Sequence, residues 1–264
     1  DGGVDLLARE RARPPAMYGA RIEIINGVYP AFADCSVGSQ PSERIMYFVS
    51  RRLGLGLREY EQQDIVSPSG SLPAALMYSF PNSASRAEPS EEASAGPGPR
   101  TWFEEAGVFI GRPGERAGCR MGVALKGGHN AEHHNHNDVG SYVVVTGSEP
   151  VLLDPGPEVY TARTFSSKRY VSDVLNSFGH PVPVVAGKLQ RTGRNARGKV
   201  IEETFTDEAD TLSLDISSAY DVPELKKLER TFVYSRQGEG SLTVTDEVEF
   251  TEPEAFGTAL RRYL

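Results

Sequence analysis

Cysteine is scarce in this 264-residue chain. Cys35 and Cys119 are the only two, far apart and without a CxxC partner, so they read as unpaired thiols and not as a disulfide framework. Long apolar runs are missing as well. No stretch approaches the roughly 18 residues of a membrane-spanning helix. Positive charge is in deficit: 28 Lys and Arg stand against 36 Asp and Glu, a net charge of −8. That balance argues against non-specific binding of a polyanion by the molecule as a whole. An initiator Met and a signal peptide are absent too, and the abrupt ends (Asp-Gly-Gly, and EAFGTALRRYL) read as those of a fragment. What remains is a globular composition, 39% hydrophobic and 24% charged with mean hydropathy −0.38, and enough chain for one large domain or two smaller ones.

Charge is unevenly distributed. Between Arg163 and Lys199 there are eight basic residues (Arg163, Lys168, Arg169, Lys188, Arg191, Arg194, Arg197, Lys199) against one acid, Asp173. From Val200 onward, fifteen acids face six bases. The basic segment suits an acidic substrate, although its GKLQRTGRNARGK part also fits a solvated Arg- and Gly-rich loop.

The periodicity divides the chain. Ser42 to Leu53 places Ile45, Met46, Phe48, Val49 and Leu53 at helical spacing, with Pro41 and Ser42 before it and Gly54 after it. Leu72 to Ser79 and Asp5 to Arg11 are further expected helices. Asn82 to Arg100 (NSASRAEPSEEASAGPGPR) has almost nothing to bury and reads as a linker. Beyond it the period becomes two. Strands are expected at Thr101–Gly111, Cys119–Leu125, Val139–Thr146, Pro150–Leu153, Gly198–Phe205, Thr211–Ser217, Leu228–Tyr234 and Ser241–Phe250. Strands without intervening helices imply an antiparallel sandwich or barrel. The expected architecture is α+β and multidomain: a helical segment over 1–83, a linker over 84–100 and a large antiparallel β domain over 101–264.

Histidine is concentrated. Four of the five lie in GHNAEHHNHND, Gly128 to Asp138, and the other is His180. Imidazole is the commonest protein metal ligand and the side chain that titrates near neutrality. Two motifs overlap there. His129, Glu132 and His133 spell HxxEH, a zinc-protease pattern that requires a helix so that both histidines share a face. The surrounding Gly and Asn residues and the period-two run that follows make a helix unfavourable. His134, His136 and Asp138 form HxHxD, whose members would line one face of an extended segment, a donor set suited to zinc or a similar divalent cation. The remaining ligands must come from elsewhere. Asp154, in a Leu-Leu-Asp-Pro-Gly turn, and His180 are the obvious donors.

HNHNDVGSYVVVTGSEPVLLDPGPEVY, a basic stretch and NSFGHPVPVVAG together resemble the β domain of heparinase II/III-like polysaccharide lyases, over roughly Trp102 to Leu264. The helical portion is similar to the end of the (α/α) toroid that precedes that domain. The resemblance implies a β-sandwich in which His136, Asp154 and His180 bind a metal, usually zinc, in a mainly structural role. It implies that His134 faces the substrate cleft, and that tyrosines take part in proton transfer, with Tyr160 and Tyr170 as candidates. Arg163, Lys168 and Arg169 are candidates for the positive charge that holds a uronate carboxylate, with Arg163 and Arg169 preferred. Asn137 and Asp138 are expected to orient the histidines. The chain departs from the family at the distant histidine, where Asn176-Ser-Phe-Gly-His180-Pro replaces a common His-Asn-Thr run. The toroid's own Asn or His and Tyr are expected to precede Asp1.

The implied activity is β-elimination on an acidic, uronate-containing polysaccharide by a periplasmic or secreted protein. Two other functions fit the residues: a non-catalytic, metal-stabilised carbohydrate-binding domain, and a cupin-like metalloenzyme, since HxH on a strand opens cupin sites too.

Overall fold

The computed structural model describes residues 9–55, 97–115 and 118–260. The chain forms two compact units, one of Asp1–Ile22 with Gln40–Gly98, the other of Glu23–Ser39 with Pro99–Leu264.

In the first unit the main described element is a helix over Glu43–Leu53. Ser42 lies at its N-terminal flank, and Gly54 ends it by adopting φ 65, a left-handed conformation that costs glycine little. Met46 and Val49 are buried, as the helical spacing predicts, but Ile45 of the same expected face is exposed and Tyr47 is buried in its stead. A 3-10 turn over Glu10–Ala12 and short helices at Arg13–Ala16 and Tyr18–Arg21 precede it. Most of the helix expected at Asp5 to Arg11, all of that at Leu72 to Ser79, and most of the linker lie outside the described residues.

The second unit contains thirteen strands among its described residues: β1 Arg100–Phe103, β2 Val108–Gly111, β3 Met121–Lys126, β4 His129–Asn130, β5 Tyr142–Thr146, β6 Glu149–Leu152, β7 Val184–Val185, β8 Gly193–Arg197, β9 Lys199–Phe205, β10 Ala209–Asp215, β11 Leu225–Ser235, β12 Ser241–Phe250 and β13 Phe256–Gly257. All pairings are antiparallel. A five-stranded sheet runs β1-β2-β3-β5-β6 and a four-stranded sheet β12-β11-β10-β9. Their inner faces share one core: Phe109, Val123, Leu125 and Val144 from the first with Leu212, Leu214, Leu228, Phe232 and Tyr234 from the second. Burying a side chain such as Phe232 contributes about 1.5–3 kcal/mol. This is the expected sandwich, with short β4-β8 and β7-β13 ribbons added.

Two sequence expectations are corrected. Thr101–Gly111 is not one strand: a 3-10 turn at Glu104–Ala106, closed by left-handed Gly107, folds it into the β1-β2 hairpin. The boundaries also differ, because Glu23–Ser39 packs with the β unit. Ile24 there is fully buried. A Cβ on Gly122 of β3 would lie 2.7 Å from Ile24 Cγ2, so only glycine allows this approach. Arg112 Nε also donates to the Glu23 carbonyl at 2.9 Å.

Candidate metal centre and the face beside it

The histidine-rich segment is a loop between β4 and β5, not an extension of a strand. Its conformation is held from several sides. Gln190 clamps Val139, accepting its N–H at 3.0 Å and donating to its carbonyl at 2.7 Å, while also accepting from Asn130 at 3.1 Å. The Asn137 N–H donates to the Leu175 carbonyl at 2.9 Å. Arg230, on the buried face of β11, forms a bidentate pair with Asp246 at 2.7 Å. It also donates to the carbonyls of Gly140, at 2.9 Å, and Pro181, at 2.7 Å. One side chain from the four-stranded sheet thus anchors both the histidine loop and the residue after His180.

These constraints bring His136, Asp154 and His180 together. Asp154 lies two residues beyond the end of β6, and His180 follows a 3-10 turn at Ser177–Gly179 that Asn176 caps by accepting from Phe178 N. One donor atom from each of the three lies within 4.8 Å of the others, and all three side chains are buried. His180 Nδ1 stands 3.1 Å from Asp154 Oδ2, and His136 Nδ1 stands 3.8 Å from Asp154 Oδ1. Donors around a tetrahedral zinc with bonds of about 2.1 Å are about 3.4 Å apart. His136 Nδ1 and His180 Nε2 have no hydrogen-bond partner although fully buried, and His180 Nδ1 and Asp154 Oδ2 meet only each other. Orphaned buried donors and acceptors are costly, and a divalent cation would satisfy them. The residues therefore fit a zinc-like ion.

The electrostatics agree. Burial opposes the charge on Asp154, but His180 and then His136 outweigh it and hold the carboxyl below its usual range. Burial pushes His136 down, towards the neutral form a ligand needs. His180 is raised because Asp154 overcomes burial, so a bound cation would displace a proton there.

The expected single face of HxHxD is not what forms. His134 has a left-handed φ of 59 and its side chain is 61% exposed, whereas His136 is fully buried. Asp138 pairs with fully buried Lys126, and Asn137 Nδ2 reaches the Gln190 carbonyl at 3.4 Å. Neither orients a histidine by a direct hydrogen bond among the described contacts; both hold the loop. Burial disfavours the Lys126 charge, but Asp138 and Glu132 outweigh it and raise its pKa. His129 sits in β4, and Glu132 accepts from its backbone N–H, so HxxEH has no helix to act from.

On the exposed side, His134 Nδ1 and Tyr160 Oη are 3.2 Å apart, their rings stacked at 16°. Tyr160 also packs edge-on against Phe165. Both groups meet Asp34, which sequence reasoning missed. Tyr160 Oη donates to Asp34 Oδ2 at 2.9 Å, and the same oxygen is 3.2 Å from His134 Nδ1. The other oxygen, Oδ1, is 3.3 Å from His136 Nε2 and accepts from Arg169 at 2.6 Å. Burial works against the Asp34 charge, but hydrogen bonds from Arg169 and Tyr160 outweigh it and keep the carboxyl low.

The remaining candidates surround that pair through other contacts. Tyr170 donates to Asn135 Oδ1 at 2.9 Å and is raised by burial. Arg169 also donates to the carbonyls of His134 and Asn135 at 3.2 Å. Arg163 pairs with Glu158 and donates to the Arg169 carbonyl at 3.0 Å. Both arginines are thus engaged within the fold.

A family model described as heparinase II/III-like, C-terminal, matches residues 95–261. The chain belongs to the heparinase II/III-like family. No curated protein matches it. Among solved structures it is similar to the heparan sulfate lyase HepC from Pedobacter heparinus, at 14% identity and TM-score 0.60 over 90% of this chain and 32% of that one. A heparinase III structure gives 15% identity and TM-score 0.58 over 91% of this chain and 32% of that one. At such identity the likeness is one of fold. The chain spans about a third of the length of either structure. Membership sets aside the cupin-like alternative.

Proposed function

We propose that this chain is the metal-stabilised β part of a polysaccharide lyase that cleaves an acidic, uronate-containing glycan by β-elimination, in the periplasm or outside the cell. The observation that carries the reading is the exposed pair of His134 and Tyr160, 3.2 Å apart, directly beside a buried, zinc-compatible cluster of His136, Asp154 and His180. The helical unit fits as the end of an (α/α) toroid.

Elimination removes a proton α to a carboxylate, so the reaction needs a base, an acid for the leaving glycosidic oxygen, and groups that stabilise the developing charge. In this reading His134 and Tyr160 hold and move the protons. Tyr170 braces Asn135 next to His134. Arg169 sets the backbone of His134 and Asn135 through their carbonyls. His136, Asp154 and His180 would hold zinc, which would supply a structural tie between the β6 end, the histidine loop and the His180 turn. Arg163 and Arg169, although paired to Glu158 and Asp34, are the candidates in this reading for the uronate carboxylate.

The test is the ultraviolet absorbance of unsaturated uronate ends when a longer version of the protein, including its toroid, meets heparan sulfate, alginate or other uronates. Product formation lost on His134→Ala supports the reading. Absence of product with every uronate glycan rejects it in favour of a carbohydrate-binding domain without turnover.

A further inference from the structure

Asp34 comes from a segment remote in sequence from every other site residue, yet its carboxylate reaches both halves of the site. The side chain is only 3% exposed. Oδ1 faces His136 Nε2 at 3.3 Å and Oδ2 faces His134 Nδ1 at 3.2 Å. Its backbone N–H donates to the His134 carbonyl at 3.2 Å, so main chain and side chain grip the same residue. The approach demands unusual backbone on both sides. Ala33, just before Asp34, has φ 62, and His134 has φ 59, conformations that non-glycine residues adopt rarely and at a cost. Gly156, two residues after Asp154, also has a left-handed φ of 69, and a Cβ there would lie 2.8 Å from the Cys35 carbonyl oxygen. Glycine at this position lets the Asp34 segment lie against the Asp154 turn.

We propose that Asp34 is a positioning residue that joins the metal centre to the exposed face, accepting Nε2–H of His136 on one oxygen and Nδ1–H of His134 on the other. The inference rests on the metal reading above. With its Nε2–H donated to Asp34, His136 presents the Nδ1 lone pair towards Asp154 and His180, the arrangement of a carboxylate–histidine–metal relay. With its Nδ1–H donated, His134 turns an unprotonated Nε2 towards solvent, where a substrate proton arrives. Arg169 and Tyr160 hold the carboxylate in place through hydrogen bonds of 2.6 and 2.9 Å. Asp34 acts on the substrate only through the residues that it holds; it sets which nitrogen each histidine offers.

The tautomers are read directly by long-range proton–nitrogen NMR of the zinc-loaded, histidine-labelled chain. The expected spectrum has His136 bound through Nδ1 and protonated on Nε2, and His134 protonated on Nδ1. Zinc held through Nε2 of His136 overturns the proposal, and this measurement needs no variant. Asp34→Asn is then expected to weaken zinc in chelator competition by about 10–100-fold and to shift His134 towards its Nε2-protonated tautomer. Tyr160→Phe removes one of the two hydrogen bonds that hold the Asp34 carboxylate but leaves the carboxylate itself beside His136, and is expected to weaken zinc far less than Asp34→Asn does. Equal zinc affinity in Asp34→Asn and the parent chain overturns the role of Asp34 while the metal centre stands. Failure of the parent chain to hold zinc at all removes the metal reading itself, and the inference with it.

Discussion

The two halves of the site share the Asp34 carboxylate but obey different physics. On one side His136, Asp154 and His180 are buried, and several of their polar atoms have no hydrogen-bond partner. On the other, the His134 side chain is 61% exposed and Tyr160 is 45% exposed, each with partners in reach. A buried cluster with unmet donors asks for an ion and contributes stability when it holds one. An exposed pair contributes little to the fold and is free to meet a ligand. Closeness in the HxHxD motif therefore conceals a difference of environment, with His136 inside the fold and His134 at its surface, and the proposed division of labour rests on it.

The largest effect that would break this comparison comes from its anchor. Arg230→Ala leaves Asp246 and the carbonyls of Gly140 and Pro181 without their donor. It is expected to cost about 3–5 kcal/mol in denaturant unfolding and to loosen both site loops. A loss below 1 kcal/mol would show that the loops hold themselves. Chelation comes next: at free zinc a hundred times the dissociation constant, bound metal stabilises by about 2.7 kcal/mol. A melting curve with and without chelator should show that difference in the parent chain and not in His180→Ala. Gln190→Ala strands Val139 and Asn130 groups inside the protein and is expected to cost about 1–3 kcal/mol. The smallest change sharpens the contrast most. His134→Ala should alter unfolding by no more than about 0.5 kcal/mol, while turnover in the longer protein falls by at least about 100-fold.

Much of this was legible in the sequence because it rests on local pattern. Period-two alternation marked β11 and β12, whose burial alternates residue by residue. The spacing of ligand-type residues and the family resemblance singled out His136, Asp154 and His180, which the structure brings together. What escaped depends on contacts between distant segments. Asp34 is a lone acid between Ala33 and Cys35, and nothing near it announces a role. Arg230 occupies an inward position among Leu228, Phe232 and Tyr234, where the pattern alone reports only a charged residue in a strand. The common face expected for HxHxD failed for a backbone reason: His134 turns left-handed, and the alternation of an extended chain stops there. Similarly, Gly107 marked the turn between β1 and β2, but the apolar residues on both sides read as one continuous strand.

The division between the two histidines is tested most directly by metal content. Elemental analysis of the zinc-equilibrated, desalted chain and its single variants is expected to find one equivalent in the parent and in His134→Ala, and essentially none in His136→Ala. A full equivalent retained by His136→Ala, or lost from His134→Ala, would contradict the assignment of the buried histidine to the metal and the exposed one to the surface.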